Sequence, residues 1–209
     1  MTRQLCIVTT AVLMSFGPSL GRAAYQVKEA HPRLFIEDVR EMAHRCDGPL
    51  AEDYQVVKQR ADEAVWRGGI QYISNPWSIP EDLMNCGIAH LVEGQRGHEA
   101  TPYAATIIKQ WGDGSLIANR HGSHFGYHAI AYDWIYDALT PEQRVRYGDA
   151  LGSWLRFFTD RPEILLKWGH WEYNQTWGPI HLNIGNSRDS ITQKLLIALA
   201  IHGKGTAYD

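Results

Sequence analysis

An all-α fold is what this sequence predicts, and three observations predict it. Apolar residues recur at helical spacing along almost the whole chain. No stretch alternates convincingly with a period of two, and no pair of such runs flanks a hairpin turn. Helix-start chemistry also precedes several of the periodic segments, most clearly at Thr140-Pro141-Glu142-Gln143.

The elements follow in order. Ile36 to Cys46 is a short helix opened by Glu37 and Asp38, acids suited to a helix N-terminus. Ala51 to Trp66 is a second helix. Glu81 to Glu93 is a third, starting after Pro80, and Glu99 to Trp111 a fourth with Pro102 in its first turn. Phe125 to Ala138 is strongly aromatic, and its stripe Ile130, Trp134, Ile135 and Leu139 is core-facing. Thr140 then caps the next helix, with Pro141 at the first helical position and Gln143 completing a capping box; that helix runs to about Phe158. Ser187 to Ile201 is the last, with Ile191, Leu195, Leu196 and Leu199 on one face and Gly203 able to cap it. Gly68-Gly69 and Gly112-Asp113-Gly114 read as turns between helices. Helix pairs about 40 residues apart suggest a helical array or an α/α toroid, although no exact sequence repeat is present.

Length and composition bound the rest. The 209 residues suffice for one domain, and 44% hydrophobic with 21% charged residues is a globular balance. A formal charge of −3 excludes a broadly basic nucleic-acid binder. Residues 1–24 have the form of a secretory signal peptide: Arg3, then an apolar run from Leu5 to Phe16 too short to span a bilayer, then Gly17-Pro18 and small residues around Gly21 to Ala23. The expected location is therefore secreted or periplasmic, without membrane insertion after signal removal. Loss of Arg3 and Arg22 would leave residues 25–209 with a charge of −5. Cys6 would leave with the signal. In an oxidising compartment Cys46 and Cys86 fit either one disulfide or two free core thiols, and no C-x-x-C spacing indicates structural zinc.

One segment breaks the helical pattern. Asp160 to Asn186 has little helical period, three tryptophans and repeated Gly, Pro and Asn. A loop this long in a compact domain is commonly functional, and its aromatic content argues against disorder.

Several pieces resemble the heparinase II/III-like polysaccharide lyases, secreted enzymes with an N-terminal α/α toroid. His31-Pro32-Arg33-Leu34-Phe35, followed by an acidic short helix, resembles the start of those toroids. The run from Tyr127 to Arg144 is the strongest match, with an A-x-D-W-x-Y-D-x-L-T-P-E-x-R shape. Asn174 to Asn186 is similar to the loop and helix start that bear Asn and His on the toroid's catalytic face, though here the Asn–Trp pairing is spread over Asn174-Gln175-Thr176-Trp177. The resemblance spans most of residues 31–202. It implies an incomplete α/α toroid of helical hairpins and β-elimination on an acidic polysaccharide, with no cofactor and no essential metal in the toroid. It also implies a catalytic tyrosine on a later helix and a β-rich domain closing the cleft. Tyr208 is the last tyrosine in these 209 residues, so the isolated chain is expected to be inactive.

The chemistry fixes what the site needs. The C5 proton of a uronate becomes labile only when its carboxylate is neutralised, so a donor must face the developing enolate while a base reaches C5 and an acid reaches O4. His181 suits neutralisation or proton transfer, or alternatively holds the loop. Asn174 and Asn183 can donate side-chain N–H groups to the uronate, or satisfy turn backbone. Trp171, Tyr173 and Trp177 suit sugar stacking, or anchor the loop. His121, His124 and His128 have a spacing that can bind zinc, but the H-E-x-x-H glutamate is replaced by Phe125; a groove-lining role for His124 or Tyr127 is the better reading. Asp133 and Asp137, one helical turn apart, read as caps and salt links rather than as a hydrolytic pair. Residues 25–100 hold eight basic and thirteen acidic residues, and residues 101–209 ten of each, so an acidic polymer would favour the second half. A glycoside hydrolase on a related toroid and a non-catalytic sugar-binding domain are the rival readings.

Overall fold

Helices supply all the regular structure among the described residues of the computed structural model, which are 29–70, 81–114, 117, 125–159 and 195–204. They are α1 (Val39–Asp47), α2 (Ala51–Arg67), α3 (Glu81–Gln95), α4 (Thr101–Trp111), α5 (Phe125–Trp134), a 3₁₀ turn (Tyr136–Ala138) and α6 (Pro141–Thr159). Residues 195–201 are also helical.

Local chemistry sets the helix ends. Asp38 caps α1, accepting from Arg40 N at 2.8 Å and Glu41 N at 3.3 Å, so the helix begins at Val39 rather than at Ile36. Phe35, with φ +61°, turns the chain just ahead of that cap. α2 ends at Gly68, whose φ of +71° favours glycine; Gly69 N returns to Ala64 O at 3.1 Å. The expected capping box opens α6: Gln143 N donates to Thr140 Oγ1 at 3.2 Å and Thr140 N to Gln143 Oε1 at 2.9 Å.

One expected helix is divided. Phe125 to Ala138 is α-helical only to Trp134, and the chain then tightens into the 3₁₀ turn, with Ala138 N donating to Ile135 O and Leu139 N to Tyr136 O. The tightened turn carries Tyr136, which stacks against the chain ahead of α1.

α3 is the hub, contacting α1, α2, α4 and α5. Its buried residues, Leu83, Cys86, Gly87, Ala89, Val92 and Glu93, occupy more than one face, as a helix surrounded by neighbours requires. Gly87 permits the α3–α5 approach: a Cβ there would lie 2.8 Å from Cε3 of Trp134. The main core joins Leu83, Cys86 and Ala89 to Ile107 and Trp111 of α4, to Ala129 through Ile135, and to Ile197, Ala200 and Ile201. A smaller cluster holds Ala43, Cys46, Tyr54 and Val92. Cys46 and Cys86 are both buried and unbridged, the second of the two alternatives that their spacing allows. Burial raises the Cys46 thiol pKa and pushes that of Cys86 up to about 12, keeping both protonated. No described helix is long and apolar enough to cross a membrane.

Candidate functional site

Two segments far apart in the sequence, 31–34 and 133–134, meet at one buried carboxylate. Asp133, at the end of α5, is fully buried. Its Oδ1 lies 2.6 Å from His31 Nδ1 and 2.9 Å from Arg33 N; its Oδ2 lies 2.7 Å from Arg33 N and 2.8 Å from Leu34 N. These partners are the reason a carboxylate can be buried here. Trp134 Nε1 adds a bond to Leu34 O at 3.0 Å. Asp133 is therefore a clamp on a strap 100 residues earlier in the chain, not a cap on its own helix.

The clamp fixes the state of His31. Its side chain is only 3% exposed and stacks on Tyr136, with ring centroids 3.8 Å apart and planes 15° apart. Burial lowers its pKa, outweighing the hydrogen bond and charge of Asp133, while Arg33 and Lys204 lower it further. The neutral ring donates Nδ1–H to Asp133. Its Nε2 is buried, and no hydrogen-bond partner for it is found among the described residues.

A partly open cavity of about 150 Å³ adjoins this clamp, with His31, Asp133, Trp134 and Asp137 on one side and His90 of α3 on the other. His90 Nδ1 is 3.1 Å from Ala100 O; a carbonyl only accepts, so Nδ1 carries the proton. Asp137 is exposed at the cavity. Asp133 and Asp137 thus differ sharply: one carboxylate is consumed by the strap, and the other faces solvent. They are not a matched hydrolytic acid pair.

A second buried acid performs no such role. Glu93 accepts from Tyr54 Oη at 2.7 Å, Arg96 Nη1 at 2.6 Å and His98 Nδ1 at 2.8 Å. Burial alone would raise its pKa; these bonds and the Arg96 charge bring it down to about 2. Arg96 also bonds Asp47, so the network ties α1 and α2 to the end of α3.

Most site residues expected from sequence lie outside the described residues: His181, Asn174, Asn183, Trp171, Tyr173, Trp177 and His124. So do His121 and the proposed signal segment 1–24. Tyr127 is half-buried and packs against the main core. His128 is fully buried, and its Nδ1 accepts from Trp111 Nε1 at 3.0 Å, which commits that lone pair to the core. Among the described residues, no three His, Cys, Asp or Glu side chains are placed to hold a metal ion.

The cavity histidines were not legible as a site. His31 stood out only within its motif, and His90 had no motif around it. The available signal was the pairing of that motif with Asp133, which becomes a contact only through separation of 102 residues. No protein-family model, curated protein or solved structure matches the chain.

Proposed function

We propose that the chain carries the helical scaffold of an exported polysaccharide lyase, which cleaves a uronic-acid-containing polymer by β-elimination. In this reading the helices form hairpins of an α/α toroid. His181 neutralises the uronate or transfers a proton, Asn174 and Asn183 donate to the carboxylate, and Trp171, Tyr173 and Trp177 stack on sugar rings. His124 and Tyr127 line the groove. No metal or other cofactor is invoked.

One observation carries most weight: the segments that resemble the lyase toroid interlock. The strap His31 to Leu34 directs three donor groups at Asp133 in four hydrogen bonds and accepts one from Trp134, so both motifs form one buried joint. A joint of this kind would fix the beginning of a toroid to one of its later helices.

The test is incubation of the full gene product with a panel of uronic-acid polymers, following the ultraviolet absorbance of a 4,5-unsaturated uronate. A lyase produces that chromophore, and His181→Ala lowers the rate by roughly 10²-fold with unchanged circular dichroism. Reducing ends without the chromophore would assign hydrolysis instead, and intact polymer would leave a binding or scaffold role.

A further inference from the structure

His31 can take a proton in the fold only by placing a second donor where no acceptor stands. Its Nδ1–H is spent on Asp133 at 2.6 Å, and protonation would put a further N–H on the buried Nε2, for which no partner is found among the described residues. Each element around the ring bears on that charge. Asp133 of α5 favours it, but the same carboxylate also takes the N–H groups of Arg33 and Leu34. Tyr136 of the 3₁₀ turn covers one face of the ring. Arg33 of the strap and Lys204, just after helix 195–201, are cations that oppose it. His90 of α3 and Asp137 line the cavity beside the ring, and Asp137 with Glu29 acts on Lys204. The strap that carries His31 also holds the last helix. Arg33 Nη1 donates to Leu199 O and His202 O, and Glu29 O accepts from both Arg33 Nη2 and Lys204 Nζ.

We propose that residues 29–33 and the end of helix 195–201 form one acid-released latch, with His31 as its trigger. A charged imidazole needs an acceptor or water at Nε2, and water reaches that atom only when the strap leaves Asp133. The open latch therefore takes up the proton more readily than the closed one, and acid shifts the population towards it. The direction agrees with the depressed pKa of the folded ring: the closed latch is fully favoured above pH 6.5 and loses ground as pH falls through 6.5 towards the folded value. Release frees Arg33 and Glu29 together, so the carbonyls of Leu199 and His202 lose their partner in the same step. The rest stays packed. Leu34 and Ile36, which follow the latch, belong to the main core, and α3 is held by four other helices. No substrate enters this equilibrium, so it stands independently of the lyase reading.

The experiment is hydrogen exchange of the intact chain from about pH 7.5 to about pH 5.5, with rates corrected for the intrinsic pH dependence of amide exchange. That range stays above 4.5, where the Glu93 network begins to lose its contribution. Protection at Arg33 and Leu34 and at residues 198–203 should fall together below pH 6.5, by up to roughly tenfold per pH unit, the limit for one proton. Protection in α3 should not change. His31→Asn keeps a side-chain N–H for Asp133 and cannot titrate, so it should flatten the profile at both places. If that variant does not fold, Lys204→Met replaces it: removal of a cation that lowers the His31 pKa should make the acid-induced loss of protection smaller. Protection at the strap that is independent of pH, a fall at the strap without one at 198–203, or an equal fall across α3 would each overturn the proposal. So would an acid profile left intact by His31→Asn, or by Lys204→Met where that variant is the one measured.

Discussion

Two buried carboxylates show how identical chemistry is held in different ways. Asp133 is satisfied largely by backbone N–H groups of a strap, and Glu93 by three side chains, two of which can carry charge. The consequence for Glu93 is a pH dependence with a definite sign. Its folded pKa of about 2 lies below the ordinary 4.5. Its contribution is therefore fully present above pH 4.5 and is lost as pH falls from there towards 2. The linked free energy is about 3 kcal/mol. Urea denaturation at stepped pH should show stability falling through that window, and Glu93→Gln should remove most of the fall while being less stable at pH 7. A slope unchanged by the substitution would place the acid sensitivity elsewhere. His31 acts in the same direction at higher pH. Its folded pKa is depressed below 6.5, so stability is lost as pH drops through 6.5 and the unfolded imidazole takes up its proton first.

At the scale of elements, the sequence was most readable where the chemistry is local. The Thr140 capping box depends on residues three apart, and the acids at Glu37 and Asp38 mark the start of α1 within a few residues. The division after Trp134 was not readable, because Tyr136 is drawn out of the α-helix towards a histidine that periodicity cannot see. The same holds for Asp133: spacing from Asp137 suggested caps and salt links, whereas a strap far away in sequence consumes one carboxylate and leaves the other exposed. Gly87 is another long-range requirement in local disguise. Within α3 it would ordinarily cost helix stability relative to alanine, by about 1 kcal/mol. Here the added methyl would meet the Trp134 ring at 2.8 Å, and that atom belongs to a rigid, buried indole. Gly87→Ala should therefore lower stability by about 1–3 kcal/mol despite alanine's better helix propensity. Thermal unfolding of the variant checks it, and a gain in stability would mean that α3 and α5 can separate freely.

Across the whole molecule, Arg33 joins parts of the chain that no local pattern relates. Its backbone N–H meets both oxygens of Asp133, while its guanidinium reaches the other way. Nη1 donates to Leu199 O at 3.1 Å and His202 O at 2.8 Å, and Nη2 to Glu29 O at 3.0 Å. The last carbonyls of a helix have no partners within it, so a cation placed there satisfies them and complements the helix dipole. Arg33 thus holds the end of helix 195–201 against the strap, at sequence separations of 166 and 169 residues. Ile197, Ala200 and Ile201 of that helix lie in the main core, so its outward end is the part that depends on Arg33. Arg33→Gln keeps the backbone bonds to Asp133 but shortens the side chain and removes its charge. Each lost bond to a charged donor is worth about 1.5–3 kcal/mol, which corresponds to local opening roughly ten- to hundredfold more frequent. Hydrogen exchange should accordingly quicken at residues 198–203, with α3 protected as before. Equal acceleration throughout the molecule would instead make Arg33 part of the global folding unit, and unchanged exchange at 198–203 would show that core packing alone secures this helix.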